Sequence, residues 1–418
     1  MSLRNFLNKF AYLAVGAISI AAFAGADDYY NYNDGCSHVC TSTACCGKPC
    51  NEPPVCDWGY NPPAYCTCGC DTVCDSLFDN VSVRVDFLWW RANEEGLQLG
   101  VEENVALFAP STVNNSVFNE TRTKKPNFKY DAGFRLGLIN HCACDCYDIA
   151  LNWTHYHTKA NVRGATPSTS NTATNSTTFY SDWERVVGAN PISAKGRYTL
   201  NMDLVDLELG RKFYVSNCFV LRPNIGLRGV RIDQNYRVKS SADKNPGDTF
   251  DASLQNFLTE VKSRCNQLAV GPRMGLDIEV HMGCGFVLFG KAAGSIVFGK
   301  FDNHSSEHLV DFVIPDEGAQ ISDFNYVAKS SAFRTSRTNT DLAIGLKWER
   351  CFDWCNRSHP VSLEFAWEHH AFYDMNNFNF SPRGIVEGQG TAIPNGTHIT
   401  KHGDLFTQGL TFSFVFGF

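Results

Sequence analysis

Apolar and polar residues alternate along this chain with a period of two, most plainly at its end. In GLTFSFVFGF, residues 409–418, Leu410, Phe412, Phe414, Phe416 and Phe418 share one parity, while Gly409, Thr411, Ser413 and Gly417 share the other. An extended strand sends successive side chains to opposite faces, so this run predicts one bulky apolar face and one small, uncharged face. The period recurs from Val81 onward. FKYDAGFRLGL sets Phe128, Tyr130, Ala132, Phe134, Leu136 and Leu138 against Lys129, Asp131, Gly133, Arg135 and Gly137. YDIALNWT, FVLRPNIGLR, QLAVGPRMGLDIEV, DLAIGLKWE and VSLEFAWE repeat the scheme, and no helix-period segment of comparable length separates them.

Such alternation has two physical solutions. A soluble sandwich turns its apolar face inward, whereas an outer-membrane barrel turns it to lipid and keeps charges and glycines in the lumen. Three features favour the barrel. The segments run about ten residues or more, as a tilted strand crossing a bilayer must. Trp and Tyr fall near their ends, where an interfacial girdle would sit. The joins alternate short (around 140–146, 215–218, 282–285 and 351–359) and long (around 93–126, 159–195, 239–259, 302–337 and 375–403). The expectation is an all-β, antiparallel transmembrane outer-membrane β-barrel of ten strands, or twelve if the stretch from Ser306 to Phe333 hides a hairpin. Both ends then lie on the periplasmic side. The last strand should pair with the first, near Val83 to Trp90, because an open edge in lipid leaves backbone groups unpaired. Pro223 and Pro272, inside strands, each remove a ladder donor and predict a nearby bulge.

Composition adds an export history. The first residues, MSLRNFLNKFAYLAVGAISIAAFAGADD, give a basic start at Arg4 and Lys9, an apolar stretch from Phe10 to Phe23, and Ala24-Gly25-Ala26 before Asp27. This is the layout of a secretory signal peptide over residues 1–26. Without it the chain carries 34 basic and 43 acidic residues, a net of −9, which sets nucleic acid aside as a partner. Beyond this segment no apolar run reaches the ~18 residues of a spanning helix.

Export makes the 18 cysteines readable. Ten of them, Cys36, Cys40, Cys45, Cys46, Cys50, Cys56, Cys66, Cys68, Cys70 and Cys74, crowd into a Pro- and Gly-rich segment, residues 27–80, with too few aliphatic residues for a core. Such density outside the cytosol implies disulfides, and the paired C-x2-C spacing of a zinc site is missing. In the ten-strand layout Cys142, Cys144, Cys146, Cys218, Cys284, Cys351 and Cys355 fall in the short turns, on the same side as that segment, and Cys265 lies within a strand. Residues 81–418 remain for the barrel. Disulfides on the periplasmic side would join barrels to one another or to other Cys-rich envelope proteins, or else close within the chain.

The inward parity nominates Lys129, Asp131, Arg135, Arg222, Arg228, Arg273, Asp277, Glu279 and Glu364 as lumen-lining residues. A barrel of ten or twelve strands is narrow. These charges either line a constriction or pair across it. No cofactor or metal site emerges. GFVLFGKA, Gly285 to Ala292, comes within one residue of a phosphate-binding loop, but Ala292 replaces the metal-holding hydroxyl and no helix pattern follows. His155 and His157 share a strand face and His369 and His370 adjoin Glu368, yet no nucleophile is spaced beside them, so they read as girdle or rim residues and the chain as no enzyme.

VDFLWWRANEEGL, LELGRKFYVSNCFVLRPNIGLRG, GPRMGLD, GLKWER and DLFTQGLTFSFVFGF, in that order, resemble the Legionella major outer membrane protein family over most of Val81 to Phe418. The resemblance implies a bacterial outer-membrane porin that passes small solutes by diffusion, embedded in outer-membrane lipid, with a possible role in contact with host cells. The Cys-dense segment departs from that family and is more similar to the disulfide-linked envelopes of chlamydiae. Ending on Phe418 resembles the terminal signal read by barrel-assembly machinery. A non-conducting structural envelope protein or surface adhesin is the alternative, since a narrow barrel need not conduct. A clear lumen would favour the porin and a lumen filled by paired charges the structural role.

Overall fold

The structure, a computed structural model, describes residues 81–418 apart from 108–115, 142–146, 167–174, 184–192, 217, 244–255, 284, 314–319, 330–331, 355–356, 381–382, 386–391 and 395–398. The expected signal peptide and the Cys-rich segment lie outside the described residues. In chain order the strands are β1 (Val81–Glu94), β2 (Gly100–Leu107), β3 (Ser116–Lys124), β4 (Tyr130–His141), β5 (Tyr147–Ala165), β6 (Asn175–Ser181) and β7 (Ser193–Arg211). There follow β8 (Phe213–Tyr214), β9 (Phe219–Asp243), β10 (Asn256–Gly283), β11 (Phe286–Val313), β12 (Gln320–Lys329) and β13 (Phe333–Trp354). Last come β14 (Arg357–Phe380), β15 (Arg383–Ile385), β16 (Ala392–Pro394) and β17 (Ile399–Gly417).

Ten of these close a ring. In the order β1, β4, β5, β7, β9, β10, β11, β13, β14, β17, each strand pairs antiparallel with the next. β17 then returns to β1 in unbroken register from Ser82↔Gly417 to Glu94↔Leu405. Closure is what the terminal alternation demands, since it leaves neither edge strand open to lipid. A short turn joins β10 to β11, where Gly283 (φ 96°) and Gly285 (φ 82°) hold left-handed backbone that glycine adopts without strain. A Cβ on Gly285 would run into the Glu349 carbonyl.

The two parities go where the pattern sends them. Val85, Phe87 and Trp89 on β1, Met274 and Leu276 on β10, Ile344 and Leu346 on β13, and Phe412 and Phe414 on β17 are all exposed on the outer wall. An apolar band of this size on the outside of a closed sheet is a lipid-facing belt. Phe128 is the exception. It precedes β4, is buried, and meets the Tyr198 ring edge-on at 5.5 Å.

The strands run much further than the apolar alternation. β10 and β11 span 28 residues each, against the ~9–11 that cross a bilayer. Their outer ends, and those of β5 and β9, continue where long loops were expected, over residues 256–259, 302–313, 159–165 and 239–243. Beyond the belt the outward residues meet water and turn polar, so the strand persists after its two-tone signature has gone. The stretch from Ser306 to Phe333 does hold a further strand, β12, which pairs with the outer end of β11 and adds no member to the ring. The bulge expected near the prolines is missing: the β9–β10 register runs unshifted past both. Pro223 falls between Asn224, the last β7 partner, and Leu221, the β8 partner, and Pro272 falls where the β10–β11 ladder lapses, so neither removes a bond that a neighbour needs.

Candidate functional site

The inward parity of the ring builds the site. At the short-turn end a charged cavity of about 490 Å³ enters the lumen. Arg84 on β1, Arg135 on β4, Asp148 on β5, Asp206 and Glu208 on β7, Arg222 and Arg228 on β9, and Arg273, Asp277 and Glu279 on β10 line it. Asp341 and Lys347 on β13 and Glu364, Glu368 and His370 on β14 complete the circuit.

These charges are paired rather than free. Arg84 meets Asp86 at 2.8 Å and Glu364 at 3.0 Å, and Arg135 meets Asp86 at 3.0 Å and Glu368 at 2.8 Å. His370 places Nδ1 2.8 Å from Asp341 and Nε2 3.1 Å from Glu368. Arg228, whose side chain is only 2% exposed, grips Asp206 through two nitrogens at 2.6 and 2.8 Å and Asp341 at 2.7 Å. Arg273 joins Asp341 at 3.3 Å to Glu208, Arg222 joins Asp148 to Asp277, and Lys347 joins Glu279 at 2.9 Å to Glu349 at 3.0 Å. The Asp86–Arg135–Glu368–His370–Asp341–Arg228–Asp206 chain crosses the lumen from β1 to β7. At this depth each ion is held away from bulk water, so removing one partner leaves an uncompensated charge, at about 3–5 kcal/mol.

Above the ion layer the lumen is filled by side chains. Leu88 and Trp90 from β1, Tyr156 from β5, Met202 from β7, Val230 from β9, Val297 from β11, Phe372 from β14 and Thr411 from β17 have no exposed surface. Trp90 lies 4.6 Å from the His370 ring and 5.8 Å from that of Tyr156, and its Nε1 donates to Thr411 Oγ1 at 3.1 Å. Tyr156 donates its hydroxyl to the Trp90 carbonyl at 2.8 Å, reaching across β4 at Gly133, where a Cβ would stand 3.1 Å from the Tyr156 ring. Further out, Tyr198 donates to Glu94 at 3.2 Å. Segments from two of the long joins then cover the mouth: Trp183 donates to the Gln98 carbonyl at 2.7 Å and stands edge-on to Tyr236 at 4.8 Å.

Of the residues nominated by sequence, Arg135, Arg222, Arg228, Arg273, Asp277, Glu279 and Glu364 line the cavity. Asp131 is inward too but higher, accepting a bond from Thr158. Lys129 is not a lumen residue: it precedes β4 and is exposed, because the parity was extended one residue past the strand's start. His370 is not at the rim but buried within the ion network, while His155, paired with Asp203 at 2.8 Å, and His157 sit on the outer wall and His369 stacks on Phe406. Sequence reasoning passed over Arg84, Asp86, Asp206, Asp341, Lys347 and Glu368. All share the inward parity of their strands, and that parity was the signal for them. Among the disulfide candidates Cys218 is disulfide-bonded. The Cys351 side chain and the other candidates lie outside the described residues. Cys265 is a buried free thiol. Among the described residues no three His, Cys, Asp or Glu side chains are placed to hold a metal ion.

A closed antiparallel ring with a lipid-facing aromatic belt and a charged interior defines a bacterial outer-membrane β-barrel. Residues 76–415 match the family described as the Legionella pneumophila major outer membrane protein precursor, and the chain belongs to that family. Compared with curated proteins, the sequence matches none. Among solved structures, it is similar to the outer membrane protease OmpT from Escherichia coli at 11% identity and a TM-score of 0.34, covering 81% of this chain and 97% of that one. It is similar also to the Pseudomonas putida toluene transporter TodX at 7% identity and a TM-score of 0.26, covering 81% of this chain and 90% of that one. A Pseudomonas aeruginosa FadL homologue matches at 6% identity and a TM-score of 0.19, with the same coverages.

Proposed function

We propose that this protein serves as a sealed structural barrel of the outer membrane, joined to the rest of the envelope through the cysteines on its short-turn side. The observation that carries the reading is the Leu88–Trp90–Tyr156 layer. A water-filled pore leaves its lining side chains wet, whereas here inward residues from β1, β5, β7, β9, β11, β14 and β17 are fully enclosed. The ion network beneath adds a second barrier, since a permeating solute would have to part charges already paired across the lumen. In this role the barrel anchors in outer-membrane lipid, is inserted by the barrel-assembly machinery through a signal ending at Phe418, and forms disulfides with itself or with other Cys-rich envelope proteins.

A second reading, passive diffusion of small solutes, is favoured by the charged cavity of about 490 Å³ at the short-turn end of the lumen. It requires the Trp90 layer to move. Single-channel recording on purified protein in a planar bilayer separates the two. Sealing predicts a flat trace at physiological voltage, and stable, reproducible conductance steps from the wild-type protein would overturn it in favour of the pore. Non-reducing electrophoresis of envelopes with thiols blocked at lysis should show high-mass species that collapse on reduction; a lone monomer band would refute the cross-link.

A further inference from the structure

The outer wall is asymmetric above the belt. Across β5, β7, β9, β10 and β11 the last lipid-facing row is Trp153–Val205–Gly229–Val270–Phe298, and the next row out is His155–Asp203–Arg231–Leu268–Lys300. Rows on one face of a strand lie about 6.8 Å apart along it, or about 5 Å along the membrane normal at a tilt of about 40°. Arg231 and Lys300 therefore stand at head-group depth. Farther out, like charges face each other directly: Arg163 pairs with Lys195 and Lys195 with Lys239, while Arg197 pairs with Arg237 and Arg237 with Lys262. Like charges directly opposite destabilise a sheet. Glu260 pairs with Arg237 and Lys262, but among the described residues Arg163, Lys195, Arg197, Lys239 and Arg264 form no salt bridge. On the far side of the barrel the outward positions near this level are sparser in charge: Arg91 stands opposite Gln408, and Thr338, Ser336 and His369 are uncharged or weakly basic.

The same wall is recessed at its foot. A concavity of about 480 Å³ opens between β7 and β11, with Asn201, Arg231, Arg264, Asn266, Lys300 and Asp302 around it. It offers guanidinium and ammonium donors among amides and two carboxylates, next to the apolar Leu268, at the depth where acyl chains give way to head groups. Arg231 pairs with Asp233 at 2.7 Å and Lys300 with Asp302 at 3.8 Å, while Arg264 forms no salt bridge among the described residues. Arginine and lysine donors at that depth match phosphate oxygens in charge and in geometry.

We propose that this basic bay binds the phosphorylated head group of an outer-leaflet glycolipid, with Arg231, Arg264 and Lys300 on its phosphates and the Arg163–Lys195–Arg197–Lys239 rows on the anionic sugars above. The inference rests on the outer-membrane placement and on neither reading of the lumen. Full-length protein, delipidated in zwitterionic detergent, is titrated with micelles carrying diphosphoryl lipid A, with dephosphorylated lipid A, inorganic phosphate and heparin as separate arms. Wild type should bind the diphosphoryl form and not the dephosphorylated one. Reversing three charges, Arg197→Glu, Arg264→Glu and Lys300→Glu, should weaken binding by about a hundredfold or more, taking about 1 kcal/mol per cation at a membrane surface. An unchanged heat-modifiable gel shift shows that the barrel is intact. If that variant fails to assemble, Arg264→Gln with Lys300→Gln should weaken binding by about thirtyfold. Equal affinity for dephosphorylated lipid A, equal affinity for inorganic phosphate, heparin binding without lipid A binding, or no loss in the variants would each overturn the proposal.

Discussion

Arginine placed at two outward positions of β10 tests where the membrane lies. Leu276 is six residues from Met282 at the short-turn end and six from Val270 at the far side of the belt, and all three are exposed on the outer wall. At a tilt of about 40° six residues cover about 15 Å along the normal, which puts Leu276 near the midplane of a hydrocarbon core about 30 Å thick. Leu276→Arg should then cost about 2–4 kcal/mol. Asn266 shares the same outward face, but its row lies beyond the belt, next to Asp302 and Asp233. Asn266→Arg should cost no more than about 1 kcal/mol, because its guanidinium stays in water. The measurement is the urea midpoint of protein folded into phosphatidylcholine vesicles, followed by Trp fluorescence, with unfolding slopes compared to confirm that the same surface is exposed. Equal costs at the two positions would refute the belt, and a larger cost at Asn266 would place the bilayer higher on the wall. The neighbouring Gly275 is a poor inward control, since even a Cβ there would stand 2.8 Å from Asn224 and 3.0 Å from the Ala292 carbonyl.

Arg228→Met should destabilise by about 3–5 kcal/mol, because it strips Asp206 of its bidentate partner and leaves Asp341 buried with only His370 and Arg273 beside it; a change under about 1 kcal/mol in the same unfolding assay would mean that the network is wet. Trp90→Ala should cost about 3–5 kcal/mol and turn a flat bilayer trace into one with measurable conductance, whereas a folded, silent variant would show that the lumen is sealed elsewhere as well. Deleting Phe418, 61% exposed at the end of the closing strand, should reduce outer-membrane assembly, read as the yield of heat-modifiable barrel; a normal yield would remove the terminal residue from the assembly signal.

Much of the architecture was legible because a two-residue period survives only where two environments face one strand. The terminal Phe parity, the short and long joins, the ring of ten and the pairing of the last strand with the first all follow from that single regularity and from the cost of bare backbone in lipid. The regularity fades where both faces become polar or both become buried. For that reason the outer ends of β5, β9, β10 and β11 read as loop, and the buried Phe128 read as lipid-facing.

Sequence alone thus determined the class of fold, the face presented by residues within the spanning strands and the charged character of the interior. Tertiary structure decided which inward charges meet. Arg228 lies between Asp206 and Asp341, residues 22 positions before it and 113 after it, because β7 and β13 come to face each other across a narrow ring. Parity names the face of a strand but is silent about the distance across the lumen, and that distance decides which inward charges pair and which rings pack together.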